Sequence, residues 1–262
     1  MILDNFLLTD QVALVTGAGR GIGAGIALAF AEAGADVVCL ARTREQLEET
    51  AEKVRSLGRR ALVIPCDVVD AAQRQSAMEA AMAEFGKLNI LVNNVGGGRP
   101  TPALDTTEKQ FDFTLRFNVT SAFALTQLAV PQMVRTTGGG VVINISSTAG
   151  RDVSPGFSAY GTAKAALSFL TQELAQDFAP KIRVNAIKPG AIRTSAMDAI
   201  AGTDILQDMA RKTPLGRLGE VEDIAACALF LASPAASYIT GGVFAVDGGI
   251  TQSSLEFPRA VL

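Results

Sequence analysis

Residues 11–34 constrain this chain most. They hold an apolar run, QVALVT, then Gly17-Ala-Gly-Arg-Gly-Ile-Gly23, then a helical pattern that stops at Gly34. An apolar run that enters a helix through closely spaced glycines reads as a strand followed by a very tight turn. The alternation then repeats. Residues 36–41, 61–66, 89–92, 141–145, 182–187 and 243–246 read as further strands. Helical patterns fall between them over 44–57, up to 85, about 108–135, 163–178 and 221–232. Thr43-Arg-Glu-Gln46 has the form of a capping box opening the second helix.

About seven such alternations predict an α/β fold, a Rossmann-type doubly wound parallel sheet of about seven strands with right-handed crossovers. At 262 residues, with no Pro/Ser linker, low-complexity tract or internal repeat, the chain reads as a single domain over 1–262. A hydrophobic content of 48% suits a sheet buried on both faces. The net charge of −3, without a run of one sign, speaks against nucleic acid and anionic membrane surfaces as partners. Asp4 and Asp10 flank the only early apolar run, and no run approaches spanning length, so the expectation is a soluble cytoplasmic protein with no membrane partner. Cys39, Cys66 and Cys227 sit in apolar surroundings and read as core residues, with no disulfide frame or metal site.

The absence of histidine is the strongest compositional exclusion. It removes the commonest general base and the commonest zinc ligand. Acid–base chemistry must come from Tyr, Lys, Asp, Glu or Cys, and there are two tyrosines. Tyr160 and Lys164 lie one helical turn apart on one face. A phenol beside an ammonium is a tunable proton donor and acceptor, because the cation favours the phenolate. Taken alone, the pair is weak evidence, because Tyr and Lys often share a helix face for no chemical reason.

The glycine turn could be a plain strand–helix connection. After the first strand of an alternating chain it reads as a nucleotide cradle, with pyrophosphate at a helix N-terminus. An NAD site would place an acid at the end of the second strand; the sequence has Ala41-Arg42-Thr43 there. Arg42 offers a guanidinium to a 2′-phosphate, with Arg20 as a second cation, which favours NADP(H) over NAD(H). The alternative is two solvated loop arginines. Asp67 could accept from an adenine amino group or cap the next helix. Asn94, ending the fourth strand at the sheet's switch region, could hold a turn, line the cofactor, or do both.

In order along the chain, Thr16-Gly-x-x-x-Gly-x-Gly23, Asn93-Asn-x-Gly96, Asn118, Ser147, Tyr160-x-x-x-Lys164 and Pro189-Gly190 resemble the short-chain dehydrogenase/reductase family over about residues 8–249. Val95, where the family usually has alanine, is the one departure. Within the family the chain looks most like bacterial hydroxysteroid dehydrogenases of the 7α type and 3-oxoacyl-carrier-protein reductases. The Gly96–Pro100 loop and residues 233–237 favour the former, whereas an NAD-using 7α enzyme would carry an acid where Ala41 stands. The resemblance implies an oxidoreductase interconverting alcohol and ketone. Tyr160 would be general acid or base, and Lys164 would lower its pKa and hold the nicotinamide ribose. Ser147 would hydrogen-bond the carbonyl, Asn118 would serve a proton relay, and Pro189, Ile192 and Thr194 would contact the nicotinamide. Together the two readings give a cofactor-binding set of Gly17, Gly19, Arg20, Gly21, Ile22, Gly23, Arg42, Asp67, Val68, Asn94, Gly96, Tyr160, Lys164, Pro189, Gly190, Ile192 and Thr194.

The substrate pocket is expected from residues 97–102, 151–157 and a lid over about 191–213. Ile192, Met197, Ile200, Ile205, Leu206 and Met209 make that lid largely apolar, which points to a bulky apolar alcohol or ketone; packing on the core is the alternative. Tyr238 reads as a packing residue. The resemblance implies a homotetramer built through residues 110–135, 159–178 and 221–246, with the tail 255–262 docking across an interface. A non-catalytic cofactor sensor would have no physical need of Asn118, Ser147, Tyr160 and Lys164 together. A serine hydrolase would need the missing histidine and a G-x-S-x-G elbow.

Overall fold

None of the apolar runs can bury two faces alone, and side by side they can. The computed structural model describes residues 1–198 and 202–250. In it the runs form β1 (Val12–Thr16), β2 (Asp36–Ala41), β3 (Ala61–Pro65), β4 (Ile90–Asn93), β5 (Gly140–Ile145), β6 (Ile182–Pro189) and β7 (Val243–Val246). They make one sheet in the order β3-β2-β1-β4-β5-β6-β7, and every neighbouring pair is parallel. Successive residues of a strand point to opposite faces. Ala13 and Val15 therefore join Ile26, Phe30, Ile224 and Leu231 on one side. Val12 and Leu14 join Met78, Leu125, Met133 and Leu174 on the other.

The helices covering these faces are α1 (Gly21–Glu32), α2 (Arg44–Ser56), α3 (Ala71–Phe85), α4 (Glu108–Leu115), α5 (Ser121–Thr137), α6 (Ser158–Phe178), α7 (Ser195–Asp198), α8 (Thr203–Lys212) and α9 (Val221–Ala232). Strand order reverses between β1 and β4, so the crevice for a ligand opens beyond Thr16 and Asn93. No helix among the described residues is long and apolar enough to cross a membrane.

Three local expectations change. The capping box at Thr43 does not form: Thr43 is the N-cap of α2 but its side chain accepts no bond. Gln46 instead packs against the glycine turn, 3.0 Å from where a Cβ on Gly19 would stand. The single helix over 108–135 is α4 and α5 joined through a π-helical turn, Arg116–Thr120, with Asn118 at its centre. Such turns make room in a helix for a residue with other work. Tyr238 does not pack: its ring is fully exposed, just beyond a short 3-10 turn (Pro234–Ala236). The proposed tail contact over 255–262 and the lid residue Ile200 lie outside the described residues.

Candidate active site

The cradle begins where β1 stops. Gly17 bends away at φ +68°, and Gly21 opens α1 at φ +55°; both values lie in the left-handed region that glycine tolerates. Gly23 is required for space. A Cβ there would stand 2.2 Å from the Gly17 carbonyl and 2.6 Å from Asn94 Nδ2. Arg20, extended at φ −164°, is the N-cap of α1 and makes no side-chain cap. The first amides of α1 are thus left open to an anion, with the helix dipole behind them. Asn94 ties the floor together, its Nδ2 donating to the Thr16 carbonyl at 2.9 Å and its N–H to Thr16 Oγ1 at 2.8 Å. Val95 donates its own N–H to that oxygen at 3.1 Å, a backbone bond that valine makes as well as alanine.

One end of the crevice is a recess of about 220 Å³ holding Gly17, Gly19, Arg20, Arg42, Asp67, Val68 and Gly96. Arg42 is exposed. Asp70, not Asp67, caps α3, accepting from the Gln73 N–H at 3.0 Å. Asp67 Oδ1 takes the Val69 N–H at 3.0 Å, which holds the Asp67 carboxylate at the lip. The other end is a cleft of about 370 Å³ lined by Gly21, Ile22, Asn94, Ser147, Tyr160, Lys164, Pro189, Gly190, Ile192 and Thr194, sharing Gly17, Arg20 and Gly96 with the first. A dinucleotide fits this arrangement: glycines a Cβ would fill, free amides for phosphate, and polar groups at each end. Of the residues expected at the site, Gly23 and Asn118 line neither recess. Gly23 lies beneath the turn and Asn118 behind the loop after β4.

Asn118 is fully buried. Its Oδ1 accepts the Gly97 N–H and its Nδ2 donates to the Gly97 and Thr114 carbonyls, all at 2.9 Å. The π-helical turn thereby clamps the glycine loop. A Cβ on Gly96 would meet Asn118 Oδ1 at 2.6 Å and Lys164 Nζ at 2.7 Å; one on Gly98 would meet Tyr160 Cβ at 2.7 Å. Lys164, 2% exposed, donates from Nζ to the Ile145 carbonyl at 2.9 Å. Burial raises the phenol pKa of Tyr160, and a hydrogen bond with Ser147 pulls it partway back. The ammonium sits 5.8 Å from the Tyr160 ring centroid and is bonded to a carbonyl, so burial dominates.

Burial also pushes the Lys164 ammonium down to about 8 from 10.5. Between those values the unfolded lysine keeps its proton and the folded one has lost it, so folding gains stability as pH rises through that window. Below about 8 the burial penalty is present in full. Lys164→Met removes this dependence. In thermal unfolding, the wild type is expected to gain on the variant between pH 8 and 10; parallel curves would contradict the buried charge.

Residues to which the sequence assigned no role complete the site. Ser146 Oγ donates to the Lys164 carbonyl at 2.9 Å and lies 2.7 Å from Ser168 Oγ, fixing the helix turn that bears the lysine. Asn93 Nδ2 donates to Asn144 Oδ1, and Asn144 Nδ2 to Thr171 Oγ1, both at 2.9 Å, which ties β4, β5 and α6 beneath the cleft. A doublet of serines or asparagines looks like turn chemistry in a sequence; only the fold reveals the partners. Arg151, expected at the substrate, is instead engaged by Asp152 (Nε–Oδ1 2.7 Å, Nη2–Oδ2 2.9 Å), Asp247 (3.2 Å) and the Ile250 carbonyl (2.6 Å). Of the apolar lid residues, Met197 reaches the cleft, Ile192 lines it while 5% exposed, and Met209 is buried in the molecule.

A doubly wound sheet with a glycine cradle running into a Ser–Tyr–Lys cleft defines a dinucleotide-dependent oxidoreductase. The model of the family described as enoyl-(acyl carrier protein) reductase matches residues 17–251. An uncharacterized oxidoreductase of Mycobacterium tuberculosis is 51% identical over 259 residues, covering 98% of each chain. The 7alpha-hydroxysteroid dehydrogenase of Escherichia coli is 40% identical over 250 residues, covering 95% of this chain and 97% of its own. A solved 7 alpha-hydroxysteroid dehydrogenase complexed with NADH and 7-oxo glycochenodeoxycholic acid superposes with a TM-score of 0.93 at 40% identity, over 97% of this chain and 99% of that one. A short-chain type dehydrogenase/reductase from Mycobacterium marinum gives 0.91 at 38%, over 96% and 99%. The chain belongs to the short-chain dehydrogenase/reductase family.

Proposed function

We propose that the protein interconverts a secondary alcohol and a ketone on a bulky apolar substrate, with NADP(H) preferred over NAD(H). The gathering of Ser147, Tyr160 and Lys164 in one cleft that runs into the cradle carries this reading. The nicotinamide, when bound, supplies or accepts the hydride. Tyr160 gives or takes the proton at the substrate oxygen, and its raised pKa keeps the phenol protonated for the reductive direction. Ser147, hydrogen-bonded to Tyr160, orients that oxygen. Lys164 has one of its three donors on the Ile145 carbonyl and two left for ribose hydroxyls. Asn118 holds the Gly97 loop and, through it, the approach to Tyr160; its place in a proton relay remains part of the proposal. Pro189, Ile192 and Thr194, which line the cleft, would contact the nicotinamide.

Ala41-Arg42 and Arg20 beside one recess support the 2′-phosphate preference. Arg42→Glu is expected to raise KM for NADPH at least about tenfold more than KM for NADH, because the substitution sets like charges together; equal changes would refute it. A second reading, an NAD-linked hydroxysteroid dehydrogenase, draws support from the NADH-bound relative. Assaying ketones, sterols and acyl thioesters with each cofactor separates the two. Copies associate as a tetramer through α4, α5, α6 and residues 221–246; exposed Phe113 on α4 and Phe169 on α6 support this.

A further inference from the structure

The cations around the cleft are not equally free. Arg151 is saturated by Asp152, Asp247 and a carbonyl. Arg217 is held by Asp223 at 2.7 and 3.0 Å. Arg211 and Lys212 pair with Asp208 at 3.2 and 2.8 Å. Arg20 and Arg42 stand at the far recess. Arg193 is exposed on the segment after β6, where its N–H donates to the Gly219 carbonyl at 2.8 Å. Arg99 is exposed; its carbonyl accepts from Thr101 Oγ1 at 3.4 Å, and its guanidinium has no hydrogen-bond or ion-pair partner among the described residues.

Its backbone is well fixed. On one side Gly97 is clamped by Asn118 and Gly98 lies against Tyr160. On the other, Pro100 lies against Gly156, a Cβ on which would be 3.2 Å from Pro100 Cβ, and Thr101 N–H donates to the Gly156 carbonyl at 2.9 Å. Arg99 therefore leaves the chain at the rim of the Tyr160 cleft, where the loop after β4 meets the loop before α6. The acid of the facing loop, Asp152, gives both oxygens to Arg151 and offers Arg99 nothing. The same two loops carry exposed apolar side chains: Val153 in the facing loop is 94% exposed, and Leu104, just past Pro102, is 74% exposed.

We propose that Arg99 binds an anionic group of the substrate, so that the preferred substrate is an amphiphile, an apolar ketone or alcohol ending in a carboxylate or sulfonate. The proposal rests on the oxidoreductase reading of the same cleft. A guanidinium matches a carboxylate through paired N–H donors. At an exposed rim such a pair contributes a modest, salt-dependent preference, about three- to tenfold.

The test is the ratio of kcat/KM for a steroid ketone bearing a terminal carboxylate to that for its methyl ester, with NADPH. The wild type is expected to favour the acid about three- to tenfold, and less so as ionic strength rises. Arg99→Ala should bring the ratio near one, Arg99→Lys should keep part of it, and Arg99→Glu should invert it. The same ratio in wild type and Arg99→Ala overturns the proposal. If neither ketone turns over, the oxidoreductase reading for this substrate class fails. Calorimetric binding of the acid and the ester then judges Arg99 separately: an unchanged Kd ratio on removing the guanidinium overturns it, and a lost acid preference supports it.

Discussion

Replacing Tyr160 by phenylalanine is expected to lower kcat by roughly 10²- to 10⁴-fold, the range of general acid–base catalysis, while leaving cofactor affinity within about twofold. The substitution removes one oxygen. The ring keeps its neighbours, Phe157 at 5.8 Å between centroids and the Gly98 backbone, so the cleft keeps its shape. Ser147 keeps the Ala149 N–H at 3.1 Å and so stays in place without the phenol. Lys164 keeps its bond to the Ile145 carbonyl. Histidine is absent and the second tyrosine, Tyr238, stands exposed beyond α9, so neither can take over the proton. A fall in kcat with unchanged calorimetric binding of NADPH is the outcome that fits. Turnover within tenfold of wild type would remove Tyr160 from the chemistry.

The parts legible in the sequence were those set by local chemistry. Apolar runs of four to eight residues can only be strands of a buried sheet when helices alternate with them, and the glycines between β1 and α1 declare a backbone that leaves no room. The spacing of Tyr160 and Lys164 needed only helical geometry. What depended on distant partners was not legible. Arg151 lies in a loop among residues that could face a substrate, but Asp152 and Asp247 claim it, and Asp247 is 96 residues away. The spacing of Tyr160 and Lys164 could not show how deeply the phenol lies, and burial is the largest influence on its pKa. Thr43 has a capping-box sequence, yet Gln46 serves the glycine turn. Ser146 and Asn144 look like turn and strand polarity until α6 packs over them.

Gly23→Ala is expected to cost about 3 kcal/mol of stability and to abolish measurable NADPH binding, against what helix propensity alone would say. Alanine in a helix is better than glycine by roughly 1 kcal/mol, so an ordinary position in α1 would gain. The space decides otherwise. The new methyl would stand 2.2 Å from the Gly17 carbonyl and 2.6 Å from Asn94 Nδ2. The first of these is backbone. It belongs to the turn whose N–H is held by the Leu40 carbonyl at 2.6 Å, so Gly17 cannot retreat without unpairing β1 from β2. The second is the amide that joins β4 to Thr16, so its displacement opens the floor between β1 and β4. Either movement shifts the first amides of α1 away from the pyrophosphate position. A lowered Tm together with lost calorimetric binding of NADPH supports this account. A variant that melts with the wild type and binds NADPH normally would show that the turn yields without harm, and the cradle would then lose its steric basis.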